Sequence, residues 1–181
     1  MAGWGATGAA LIALAGNRTV QAMLSADARD VFGNAVAPPL VEEGAKGLAL
    51  LAAVGPIRWA GRRFGLSIFE GVTAGMVYGA AVGLGFAFTE DIFYFVNEAQ
   101  TQGLDNGLDV FVHRRDFFGP AMLHHPLWTA AFGAGLGAAA WTTSPVKRVL
   151  FPLAGFAAAP SCTPSTTAWS RPCSSCVTGS S

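Results

Sequence analysis

Charge is scarce in this chain. Lysine, arginine, aspartate and glutamate make up 12% of its 181 residues, against roughly 25% in an average soluble domain. With 52% hydrophobic residues and a mean hydropathy of +0.44, little polar surface remains to cover a water-facing globule. Nor is there an excess of either sign: eleven basic and eleven acidic residues give a formal net charge of zero, so no basic patch marks a nucleic-acid partner. Cysteine is confined to Cys162, Cys173 and Cys176. One CxxC with no second pair and no histidine beside it falls short of the four ligands of a structural zinc site. Nor is a cleaved signal peptide recognisable. Trp4–Ala15 is apolar but has no basic region before it, and Gly16-Asn17-Arg18 follows directly, so it reads as a short or incomplete first helix. Gln21–Asn34, mostly polar, reads as a loop or a helix at the interface. The length suits one bundle.

Glycine, by contrast, is abundant at 23 residues, as in membrane helices whose backbones approach closely. Three segments are apolar and long: Ala35–Val54, interrupted by Glu42, Glu43 and Lys46 and ended by Gly55-Pro56; Gly71–Val96, interrupted by Glu90 and Asp91; and Phe117–Trp141, interrupted by His124 and His125. A further segment, Val149–Ala159, stops short of the roughly 20 residues a spanning helix needs. The expected fold is all-α, a polytopic membrane bundle of about four to five transmembrane helices, with residues 1–159 as its domain. Arg58, Arg62, Arg63, Lys147 and Arg148 place the 55–68 and 142–148 loops in the cytoplasm by the positive-inside rule. The acidic connection 97–116 then lies outside. On this orientation Glu42, Glu43, Glu90 and His125 share one depth near the outer face.

A charge inside a spanning helix costs about 2.5–3.5 kcal/mol on insertion scales, so it generally faces the protein interior and has a task. Lys46 lies within one helical turn of both Glu42 and Glu43 and can reach either. One carboxylate held ionised by Lys46 leaves the other to take a proton from water. Gly71, Gly75, Gly79 and Gly83 recur every four residues, and Phe86 and Glu90 continue that face, so Glu90 points into the bundle. Asp91 fits better as a helix-end carboxylate reaching water. His125 opens a matching stripe with Thr129, Gly133 and Gly137, whereas His124 is rotated about 100° away and His113 falls in the outer loop. Carboxylates and an imidazole around a membrane cavity suit a divalent metal, direct activation of water, or a proton relay in a transporter. Spacing alone leaves these open.

The residues also resemble a known family. Ala37-Pro38-Pro39-Leu40-Val41-Glu42-Glu43-Gly44-Ala45-Lys46 looks like the EExxK motif of the PrsW intramembrane proteases. Residues 83–94 resemble its FxxxE motif, with Asp91 where asparagine is common, and His125-Pro126-Leu127-Trp128-Thr129-Ala130, running on to Gly133 and Gly137, resembles its third motif. The resemblance implies a membrane metallopeptidase of the bacterial cytoplasmic membrane, related to the prenyl-protein (CAAX) proteases. It implies site-1-type cleavage of a membrane-anchored protein such as an anti-sigma factor. Glu42 or Glu43 would activate water, Lys46 would orient the glutamates, and Glu90 and His125 would hold a divalent metal, zinc by expectation, or polarise the peptide carbonyl. The implied partners are the membrane-anchored substrate and the bilayer, with no nucleic acid.

The chain departs from that pattern at residues 160–181, which are polar and rich in Ser, Thr and Cys where similar proteins carry a last helix with a His-x-x-x-Asn-like motif. Joining the last base of each codon to the first two of the next, with TCN serine codons, turns Cys162-Thr163 into His or Tyr and Trp169-Ser170 into Val. GC-rich third positions extend this to Val-Leu-His-Ala-Leu-His-Asn-Gly-Leu-Val, apolar and close to the missing motif. Residues 160–181 are therefore expected to be a frameshifted reading of the final helix, which would make the cysteines accidental and this chain inactive or poorly folded.

Overall fold

The computed structural model describes residues 1–25, 36–65, 69, 71–116 and 124–158. Residues 160–181, expected to be a frameshifted reading, with the three cysteines among them, and most of the 21–34 connection lie outside these residues, as do the side chains of His113 and His124. Among the described residues all regular structure is helical: α1 (2–23, with a π-helical turn at Gly5–Ala9), α2 (Ala37–Phe64), α3 (Gly71–Gln102), α4 (Leu104–Asp116), α5 (His124–Trp141) and α6 (Pro145–Ala158).

Glycine stripes decide the packing. Gly71, Gly75, Gly79 and Gly83 of α3 lie against Gly137, Gly133, Thr129 and His125 of antiparallel α5, and at Gly75, Gly79, Gly83, Gly133 and Gly137 an added Cβ would collide with the facing backbone. The four-residue repeat on both helices therefore becomes one continuous seam of backbone contact. A second α3 face meets α1 through Gly85 against Ala2 and Gly5 against Val82, while Gly135 and Gly155 seat α6 on the far side of α5. Side-chain bonds fix α1 as well: Trp4 Nε1 donates to the Ala49 carbonyl at 2.8 Å and Thr89 Oγ1 to that of Ala6 at 2.9 Å. Leu50 and Val82 are fully enclosed, among Ala9, Ala13, Ala45, Ala49 and Phe86. Leu48, Val77, Phe88 and Leu127 point outward and are 58–62% exposed. An apolar exterior around a core of small residues suits lipid as the surrounding solvent.

Several boundaries differ from expectation. α1 runs through Gly16-Asn17-Arg18 to Met23, and the Thr19 hydroxyl bonds back to the Ala15 carbonyl at 2.8 Å. Gly55-Pro56 does not end α2: the helix continues to Phe64 and stops at Gly65, whose φ of +66° is the left-handed cap that glycine adopts without strain. Membrane helices tolerate such an internal proline because neighbouring groups satisfy the freed carbonyl. The 55–68 loop is thus largely helix. The 97–116 connection is helical too, with α3 reaching Gln102 and turning at Gly103 (φ +100°) into α4. α6 begins at Pro145, earlier than expected, and its 14 residues remain short of a span.

Of the four to five expected spans, α3 alone among the described residues is long and apolar enough by its own composition. α2 has the length, at 28 residues, but carries six charges, and the 18-residue α5 opens on two histidines.

Candidate active site

α2, α3 and α5 bring the five predicted polar residues Glu42, Glu43, Lys46, Glu90 and His125 together. Glu42, Glu43 and Lys46 occupy the early turns of α2, after Pro38 and Pro39 have pre-set its first turn. The glycine seam sets the register that lays the start of α5 over Gly83, and His125 in that first turn then reaches Glu90 farther along α3.

Lys46 is fully buried, so its ammonium must find every partner inside the protein. Nζ donates to Glu43 Oε1 at 2.6 Å and to Nδ1 of His125, and lies 4.2 Å from the centroid of the Phe86 ring. Two acceptors and one aromatic face thus account for the three donors of an ammonium. Because that ammonium only donates, Nδ1 of His125 accepts, and the ring proton of the neutral imidazole is assigned to Nε2. That nitrogen lies 2.8 Å from Glu90 Oε2. The ring is also held by Phe86, at a centroid distance of 5.3 Å, and its backbone carbonyl accepts from the buried Thr129 hydroxyl at 2.8 Å.

The two adjacent glutamates differ. Glu43 is 5% exposed and ion-paired to Lys46; its Oε1 is 3.9 Å from His125 Nδ1, beyond hydrogen-bond reach. Glu42 is only part-buried, and among the described residues no hydrogen bond or ion pair holds it. It instead shares a group with Glu90 and His125 in which one ligand atom from each lies within 4.8 Å of the others. Two carboxylates and an imidazole are the oxygen and nitrogen donors that zinc accepts, so this donor set fits a divalent ion.

Asp91 is a correction. It is 8% exposed and does not reach water at a helix end, because α3 runs on to Gln102. Phe86 was legible as a packing residue on the Gly83–Glu90 face, but not as the platform beneath Lys46 and beside His125. Its position between Gly83 and Glu90 on one stripe was the signal available.

The family described as PrsW family intramembrane metalloprotease matches residues 1–162 of the chain. The resemblance read from the motifs in α2, α3 and α5 is thereby borne out. No curated protein and no solved structure matches the chain.

Proposed function

The chain belongs to the PrsW family of intramembrane metalloproteases, and from that premise we propose that Glu42 is the water-activating base of a peptidase acting on a membrane-anchored protein. The observation that carries this reading is the division between the glutamates: Lys46 commits Glu43, whereas Glu42 stands without a hydrogen-bond partner among the described residues beside Glu90 and His125. An ionised carboxylate in that position accepts a proton from water as the water adds to the peptide carbonyl, then returns it to the leaving amine. Lys46 and Phe86 hold the His125 ring, and Glu90 fixes its other side. Glu90, and His125 in the tautomer that frees Nε2, would hold the family's metal, which when bound supplies Lewis acidity toward the carbonyl. The enclosing apolar helices limit water and strengthen every charge interaction within.

The basic ends of α2 and α6 face the cytoplasm in this reading, the polar cluster lies toward the opposite surface, and the substrate is a single-pass protein cut on that side, such as an anti-sigma factor. Residues 160–181 are read as the out-of-frame remnant of a helix that would complete the site. Co-expression with a panel of single-pass reporters tests these points together. The frame-restored chain is expected to cleave one of them, the chain with its present tail to cleave poorly or not at all, and Glu42→Ala in the restored frame to lose about 10²–10⁴-fold, the usual worth of a general base. Undiminished cleavage by Glu42→Ala removes the role assigned to it.

A further inference from the structure

The opposite end of the bundle holds a second polar feature. Arg58 and Arg62 sit one turn apart near the end of α2, about 24 and about 30 Å along the helix from Glu42 at 1.5 Å per residue. With Arg148 of α6 they line a cavity of about 390 Å³ between α2, α5 and α6, within the roughly 300–1,000 Å³ typical of small-ligand sites. The other walls are apolar, including Leu51, Val54 and Leu136. Leu51 and Val54 lie deeper along α2 than the arginines, so the cavity is cationic at its mouth and apolar below.

Three like charges that bear on one another call for a counter-charge, and among the described residues no carboxylate pairs with any of them. Arg58 is stacked 6.0 Å from the Phe69 ring, and Arg148 commits only its Nε, to the Thr142 carbonyl at 3.0 Å. The remaining guanidinium donors are left for an external acceptor. Ordinary interfacial arginines spread out into solvent, whereas these three converge from two helices while Arg63 and Lys147, their sequence neighbours, do not line the cavity. Guanidinium forks match phosphate oxygens in pairs, and basic pockets between membrane helices take anionic headgroups.

We propose that this cavity binds an anionic phospholipid, its phosphate among Arg58, Arg62 and Arg148 and an acyl chain against Leu51 and Val54. The apolar wall favours a lipid over free phosphate, which would have no use for it. The lipid then ties α6 to α2 at the end of the bundle remote from the polar cluster.

Thermal unfolding of the full chain in neutral detergent, titrated with short-chain phosphatidylglycerol, reads the site directly. A saturable rise in Tm is expected with phosphatidylglycerol and not with phosphatidylcholine or inorganic phosphate. Each of Arg58→Gln, Arg62→Gln and Arg148→Gln should weaken it about tenfold, as loss of a charge-assisted hydrogen bond would, while Lys147→Gln leaves it unchanged. An equal rise with phosphatidylcholine, with inorganic phosphate alone, or in the arginine variants overturns the proposal. Should those variants fail to fold, a photo-crosslinking phosphatidylglycerol on the unaltered chain replaces them. Adducts within 51–62, 136–140 or 148–152 support the site, and adducts confined elsewhere overturn it.

Discussion

Lys46 is the residue on which the polar cluster depends. It is wholly buried, yet it forms an ion pair with Glu43, donates to His125 and lies over Phe86. Removing one member of a buried ion pair leaves the other uncompensated, at about 3–5 kcal/mol. Lys46→Met is therefore expected to lower Tm sharply in detergent, because it strands Glu43. The double variant Glu43→Gln/Lys46→Met should recover part of the loss, and the difference between the two measures the coupling. Equal losses in both would mean that the ion pair is not what Lys46 contributes. Sequence spacing allowed Lys46 to reach either glutamate within one turn. Only the packing of α5 shows which carboxylate it takes and that His125 shares it, because contacts across 79 residues of chain depend on tertiary register. For the same reason Asp91 was misread: a pattern of apolar residues places a face, but the end of α3 depends on where the chain turns at Gly103.

At the scale of helices, α3 and α5 are joined by backbone contact. Gly79 faces the Thr129 carbonyl and Gly133 faces that of Gly75, so side chains added there have nowhere to go. Gly79→Leu is expected to part the two helices and abolish a monodisperse folded protein on size-exclusion chromatography. Gly44 has open space around it, and Gly44→Ala should keep Tm or raise it, since alanine is favoured over glycine within a helix by about 0.8–1.0 kcal/mol. A tolerated Gly79→Leu would break the link between the seam and the site. This seam was the most legible part of the fold, since a four-residue glycine repeat on two segments specifies both faces. Helix ends were less legible. Gly55-Pro56 reads as a stop in water-soluble chains, yet here a neighbouring bundle sustains the helix to Phe64.

Across the whole molecule, chemistry and charge are segregated. The polar cluster draws on α2, α3 and α5 at one end, and the arginines of α2 and α6 gather at the other. Membership of an intramembrane protease family implies several spans, although α3 alone qualifies by composition among the described residues. Glu42, Glu43 and Lys46, half of the charges on α2, and His125 of α5 lower the apolarity of their helices and meet inside the bundle, so hydropathy undercounts the very helices that carry the site. The most direct test is a paired measurement on the chain carrying the proposed in-frame final helix, purified and reconstituted in vesicles with a single-pass reporter that it cleaves. Cleavage rate and Tm would be recorded for Glu42→Gln and Glu43→Gln. Glu42→Gln should lose about 10²–10⁴-fold in rate with Tm close to the unaltered protein, whereas Glu43→Gln should lose Tm as well, having left Lys46 without its anion. A folded Glu42→Gln protein cleaving at the unaltered rate would contradict the assignment of Glu42 as the base.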